Sequence, residues 1–234
     1  MKKLLRRNKG ILGVLVLGIL VLGCNEAKTK TVNDVETDSR VAYLPYYNEE
    51  SFTPQWLVPG SEEEQAFHKI KDFKLTNQLG ETVTQDTFKD KIYITDFFFT
   101  SCPGICPQMT GHMFQLQETF KDDDDILFLS HSVTPTQDSI PVLKQYADKH
   151  GVIPHKWHLV TGERTEIYDL GRTQYFVEND LGTPKTLEDF LHTENFLLID
   201  KDKHIRGIYN GLNRASMQQL IIDAKALKDE EALH

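Results

Sequence analysis

The sequence predicts an α/β fold, a sheet covered by helices that is entered through an N-terminal β-hairpin and closed by a C-terminal hairpin and helix. Three observations predict it. Short β-branched and aromatic runs bounded by turn residues alternate with stretches whose apolar residues recur every three or four positions. One of those runs, "KIYITDFFFT" at 91–100, is too uniformly apolar for a strand with a wet face and reads as a central strand buried on both sides. The last two strand-like runs follow each other with no helix between them, as an antiparallel closing pair would.

The elements follow in order. "KDFKLTNQLGETVTQDTF" (71–88) alternates on both sides of "NQLG" and predicts the entering hairpin. After the central strand, "QMTGHMFQLQETF" carries Met109, Met113, Leu116 and Phe120 at helical spacing. Strand "DILFLSHSV", helix "QDSIPVLKQYADKHG" ending at Gly151, strand "KWHLVTG" and helix "ERTEIYDLGRTQY" come next. A polar insertion over 177–189 leads to "ENFLLID", "KHIRGIYNG" and an amphipathic helix over about 214–229. Read from the central strand, with a cysteine pair between that strand and its helix, this is the thioredoxin-like order.

The ends of the chain bound where it works. "MKKLLRRNKG" holds five basic side chains and no acid, and the 13 apolar or glycine residues after it are too few to span a bilayer comfortably. Charged then apolar is the layout of an export signal over 1–23, and "LVLGC" is similar to a bacterial lipoprotein signal that makes Cys24 the acylated N-terminus. Residues 24–60 read as a tether and N-terminal extension, polar to about residue 40 and then aromatic, and 61–234 as the domain. Either cleavage or retention of the segment puts the domain on the extracytoplasmic side. Losing five positive charges takes the formal net charge from -9 to -14, which argues against nucleic acid and anionic lipid surfaces as partners. "KDDDD" at 121–125 lacks the ligand spacing of a calcium loop and reads as a solvated turn.

With Cys24 lipidated, Cys102 and Cys106 in "FFFTSCPGICPQM" are the only thiols left, in a compartment where disulfides persist. A bond between them would close so short a loop that it adds about 2 kcal/mol and joins no distant elements. Chemistry is therefore the better explanation of the pair. Pro107 favours a helix starting at 107 with Cys106 as its cap, where unsatisfied N–H groups would favour a thiolate, and Gly104 lets the two sulfurs converge. Such a pair can cycle between dithiol and disulfide or bind a soft cation. Three intervening residues leave more room for a metal than the two of a redox C-x-x-C motif.

Two thiolates make an incomplete metal site, so a third ligand is sought among nine histidines. His68, His150, His155, His204 and His234 lie in polar surroundings and read as surface side chains. His158 reads as a satisfied strand residue whose H-x-x-H partner His155 would face the other way. His112 is expected to face sideways from its helix. His192, in the loop before "ENFLLID", and His131, at the C-terminal end of its strand, remain as candidates.

These residues resemble a family. "TSCPGICPQMT" (100–110), "SVTPTQDSIPVLKQYADKHG" (132–151), "HLVTG" (158–162) and "LHTENFLLIDKDKHIRGIYNG" (191–211) are similar to the Sco/SenC family of membrane-attached, copper-handling proteins. The likeness implies a thioredoxin-like fold and copper, Cu(I) or Cu(II), held by Cys102, Cys106 and His192. It also implies a metallochaperone serving the dinuclear copper centre of cytochrome c oxidase subunit II, by delivering copper or by reducing its cysteines. Thr134 stands where the family commonly carries an acid (S-V-D-P), and Leu191 where a polar residue is often found. Two thiolates and an imidazole suit Cu(I), whereas a closed zinc site would need a fourth ligand. Met109 reads as core.

A monomeric metallochaperone with no turnover chemistry is therefore expected. The rival is a thiol-disulfide oxidoreductase using Cys102 and Cys106 as its redox pair, against which stands the absence of a proline before the "ENFLLID" strand. An envelope redox or copper sensor is a third reading.

Overall fold

A computed structural model describes residues 43–178, 186 and 189–232. The export signal, Cys24 and the tether to residue 42 lie outside the described residues, as do His234 and most of the polar insertion.

Strands β1 (Lys74–Asn77), β2 (Thr82–Thr84), β3 (Ile92–Phe98), β4 (Ile126–Ser132), β5 (Trp157–Thr161), β6 (Asn195–Ile199) and β7 (Ile205–Asn210) form one sheet in the order β2-β1-β5-β4-β3-β6-β7. β3, β4 and β5 run parallel, and both ends of that parallel core are extended by antiparallel pairs. The predicted entering hairpin pairs Leu75 with Val83, and the closing one pairs Leu197 with Ile208. The arrangement is the expected α/β, thioredoxin-like fold.

β3 is buried along its whole length because both faces are covered. Ile92, Ile94 and Phe98 meet Met109, Met113, Leu116 and Phe120, the periodic residues of the following helix α2 (Cys106–Thr119) and its end. Tyr93 and Phe97 point the other way, toward Ile167 and Tyr168 of α4 (Arg164–Asp169). The two-residue period of the strand thus distributes one sequence run between two cores. Met109 is core, as its spacing requires.

Helix ends carry their own signals. α3 (Ile140–His150) stops at Gly151, whose φ of 69° is the left-handed turn that glycine adopts without penalty. The final helix, α5 (Arg214–Glu231), is capped by Asn213, whose side chain accepts from Ala215 and Ser216 N–H. Asn213→Ala is expected to lower stability by about 1 kcal/mol, read as a shift of the urea midpoint without change of slope.

Residues 43–60 pack onto the domain: Leu44, Tyr46 and Leu57 are buried, and Tyr47 pairs with Ile205 along the otherwise open edge of β7. That bridge, in which the Tyr47 N–H donates to the Ile205 carbonyl at 3.0 Å, shields the start of that edge. Arg206 fixes the segment from below, donating to the Leu44 and Pro45 carbonyls while its guanidinium lies 3.9 Å from the centre of the Tyr46 ring. His204 is fully buried between Glu64 of the short helix α1 (Glu62–Gln65) and Asp200, at 3.2 and 3.3 Å, which corrects its reading as a surface side chain. Its neighbours in sequence are polar, but its partners arrive from α1 and from the β6–β7 turn.

Candidate metal centre

Cys102 and Cys106 lie at the C-terminal end of β3, where the chain turns into α2. This is the edge at which parallel α/β sheets gather functional groups. Both thiols are free, Cys102 half-buried and Cys106 buried. The helix begins one residue earlier than proline position alone suggests. Cys106 is its first residue, Ile105 occupies the capping position and Pro107 sits within the first turn.

That shift decides which sulfur is the better anion. Burial pushes the Cys106 thiol up to about 12, and the neighbouring Cys102 sulfur adds to the effect. Cys102 also suffers from burial, but the Cys106 thiol and the N–H groups of Cys106, Gly104 and Ile105 outweigh it and bring its thiol below the ordinary range. The helix terminus therefore favours a thiolate at Cys102, not at Cys106 as expected from the sequence. Gly104 has no left-handed backbone, and a Cβ there would meet the Cys102 Sγ at 3.9 Å, an ordinary contact. Convergence of the sulfurs therefore owes more to the helix start than to glycine.

His192 reaches the same place by a different route. Leu191 and Thr193 on either side of it are buried, and His192 between them is exposed. Leu191 packs where Gly171 leaves space, since a Cβ at 171 would come within 2.5 Å of the Leu191 Cδ1 and 3.1 Å of Phe97. This gives Leu191 a structural role at a position where a polar residue was the family expectation. The ring of Phe190 meets that of Phe99 edge-on at 5.3 Å, tying the histidine segment to the strand that leads into the cysteines. The result is a cleft of about 650 Å³ lined by Cys102, Cys106 and His192, with Phe99, Ile105 and Phe190 among its apolar walls.

The three expected ligands thus share one cleft without forming a closed cluster. The His192 Nδ1 is turned to the Phe190 carbonyl at 3.2 Å. Among the described residues, no three His, Cys, Asp or Glu side chains stand close enough together to hold a metal ion.

The other histidines sort clearly. His131 lies in the core, its ring stacked on Phe97 at 4.7 Å and its Nδ1 shared by Thr95 Oγ1 and the Asp96 carbonyl. It does not line the cleft. Burial holds its ring proton affinity down to about 3, so the folded ring is neutral. The unfolded ring takes a proton at the ordinary value of about 6.5, so this contribution to stability is full above that pH and is lost as pH falls through about 3. Across that interval His131→Phe should lose stability less steeply than the parent, as read from urea unfolding at several pH values.

His112 is buried and its Nδ1 lies 2.7 Å from the Gly211 carbonyl, away from the cysteines. His158 is satisfied by Asn77 as expected. His155 faces the same side as His158, ring centres 6.5 Å apart, which corrects the opposite-face expectation. It precedes β5 and has a positive φ, so strand alternation does not apply to it.

Sequence reading missed Asp138, which is almost wholly buried and accepts hydrogen bonds from Thr100, Ser132 and Thr134. Its position just before α3, in a run of hydroxyl residues, is the one local signal it carries.

A thiol pair at the mouth of a helix and an exposed imidazole, lining one apolar cleft of a thioredoxin-like sheet, define a protein of thiol or soft-metal chemistry. Comparison with known proteins narrows this. A family model described as SCO1/SenC matches residues 61–227, and the chain belongs to that family. Three solved structures show its shape. A SCO1/SenC family lipoprotein from Bacillus anthracis str. Ames is 28% identical, with a TM-score of 0.60 over 69% of this chain and 95% of that one. BsSco, a member of the Sco family of cytochrome c oxidase assembly proteins in which a disulfide switch was identified, is 28% identical, with a TM-score of 0.58 over 69% and 94%. ScoI of Bradyrhizobium japonicum, with copper bound, is 26% identical, with a TM-score of 0.52 over 68% and 97%. Among the described residues no helix is long and apolar enough to cross a membrane.

Proposed function

We propose that this protein binds copper through Cys102, Cys106 and His192 and passes it to an extracytoplasmic copper protein, which this reading names as the dinuclear centre of cytochrome c oxidase subunit II. The observation that carries this reading is that these three side chains, and no other histidine among the described residues, line one cleft. Copper-bound ScoI and the cytochrome c oxidase role of BsSco support it. Lipidation at Cys24 would hold a monomeric domain at the outer side of a membrane, in keeping with the Bacillus anthracis lipoprotein.

The chain's own residues supply the chemistry. Cys102 offers the readier thiolate, and Cys106 gives up its proton when a cation compensates its burial. Among the described residues His192 is held by a hydrogen bond to a carbonyl two residues away, so turning its ring toward the sulfurs costs little there. Release proceeds by ligand exchange. Thiolates of the acceptor displace the half-buried Cys102 first and the buried Cys106 last.

Titrating the reduced protein with Cu(I) against a competing chelator tests this. One equivalent should bind, with X-ray absorption reporting two sulfurs and one nitrogen. A reduced protein that competes for none overturns the proposal. A thiol-disulfide role is the second reading, favoured by two free adjacent thiols of unequal acidity. It would then operate by Cys102 attacking a partner disulfide and Cys106 resolving the mixed disulfide.

A further inference from the structure

Asp138 joins two stretches of backbone that are far apart in sequence, the turn at Thr100 and its own loop from Ser132 to Thr134. Its Oδ1 accepts from the Thr100 hydroxyl at 2.5 Å; its Oδ2 accepts from Ser132 Oγ at 2.6 Å, Thr134 Oγ1 at 3.0 Å and the Thr100 N–H at 3.3 Å. The residue is 1% exposed, so these donors stand in for water. Thr100 lies two residues before Cys102, in the turn where Cys102 N–H donates to the Phe99 carbonyl. Ser132 ends β4 and Thr134 follows it; between them Val133 donates its N–H to the Phe98 carbonyl and lines the cleft.

We propose that Asp138 is a positioning residue for the cysteine pair. Its carboxylate holds Thr100, and through Thr100 it fixes where the Cys102 sulfur stands relative to Cys106. The α2 terminus anchors the pair from the Cys106 side, and Asp138 anchors it from the Cys102 side. Both oxygens of Asp138 are engaged by donors that strengthen when the acceptor is charged. An amide of the same shape carries no charge, and its N–H group at the Oδ1 position would donate to the Thr100 hydroxyl, which would then lose the acceptor it has now.

The same geometry explains Thr134. At this position, 3.0 Å from Asp138 Oδ2, a charged carboxylate would have no hydrogen to donate. A hydroxyl instead donates to Asp138, so this chain holds the cysteine turn with one carboxylate and three hydroxyls.

This inference deepens the copper reading and rests on it for its Cu(I) measurement, but not for its redox one. The test uses the full-length protein in detergent, with Asp138→Asn, Thr100→Val, the double variant and Thr134→Val. The first readout is the thiol-disulfide equilibrium of Cys102 and Cys106 against glutathione, without metal. Asp138→Asn should shift it by about tenfold, or about 30 mV. Thr100→Val should give most of that shift, and the double variant little more, since both substitutions break one linkage. Thr134→Val removes one of the hydroxyls that hold Asp138 but leaves the Thr100 contact in place, so it should shift the equilibrium in the same direction by less than Asp138→Asn does.

Cu(I) affinity should fall by roughly 10–100-fold in Asp138→Asn, the range for losing a group that orients a ligand. A folded Asp138→Asn protein with the parental equilibrium, or additive effects of Asp138 and Thr100, overturns the proposal. If Asp138→Asn does not fold, Thr100→Val decides by the same readout, a parental equilibrium being fatal. Failure of the parent to take copper, with the equilibrium still shifted in the variants, overturns the function proposed above and leaves the positioning role standing.

Discussion

Replacing His192 by alanine is expected to lower the Cu(I) affinity of the reduced protein by more than the roughly 10–100-fold that loss of an outer-shell partner costs. The Cys102–Cys106 disulfide should form as before. His192 is exposed and, among the described residues, its hydrogen bond is to a neighbouring carbonyl, so the substitution removes the proposed ligand and little else. Two thiolates alone leave Cu(I) short of one soft donor, since besides them the cleft adds mostly apolar walls and the hard oxygens of Asp189 and Thr193. Chelator competition gives the affinity, and thiol counting after mild oxidation gives the disulfide. Parental affinity in this variant would put the thiol-disulfide reading ahead of the copper one. Substituting either cysteine would not separate them, because both readings need both sulfurs.

Arg206→Leu should cost about 3–5 kcal/mol of unfolding free energy, the usual result of removing one member of a buried ionic cluster. The guanidinium side chain is 3% exposed and stands 3.2 Å from Asp200 and 2.6 Å from Glu230. Burial alone would push the guanidinium proton affinity down, and the two carboxylates outweigh it. Leucine would leave both acids without their cation and the Leu44 and Pro45 carbonyls without a donor. Urea unfolding separates two outcomes. A lower midpoint at unchanged slope means residues 43–57 stay docked; a lower slope as well means that they have come away and less surface is exposed on unfolding. A loss below about 1 kcal/mol would show that the cluster does not hold the extension.

Both predictions depend on features that differ in how visible they are in sequence. The strand and helix order, the buried β3 and the location of the cysteine turn follow from periodicity and turn residues, and the structure has them within a residue or two. The family likeness and the choice of His192 rest on longer strings, "TSCPGICP" and "LHTENFLLID", and the structure brings their residues to one cleft. The ionic cluster was not legible: Glu64, Asp200, His204, Arg206 and Glu230 look like ordinary surface charge. Nor was the thiolate preference, which turns on whether Cys106 lies outside or inside the first helical turn.

The sequence by itself determined where β3 ends, that two thiols follow it, and which residues of α2 face the core. The reason is that side-chain periods of 2 and 3.6 are local properties of the backbone. Only the tertiary structure decided that β1 pairs with β5, that His204 is enclosed while His192 is open, and that Cys102 carries the more acidic thiol. Each of these depends on the desolvation of a group and on donors or charges brought from distant segments. Local pattern states which side of an element is buried, but not which partner meets it there.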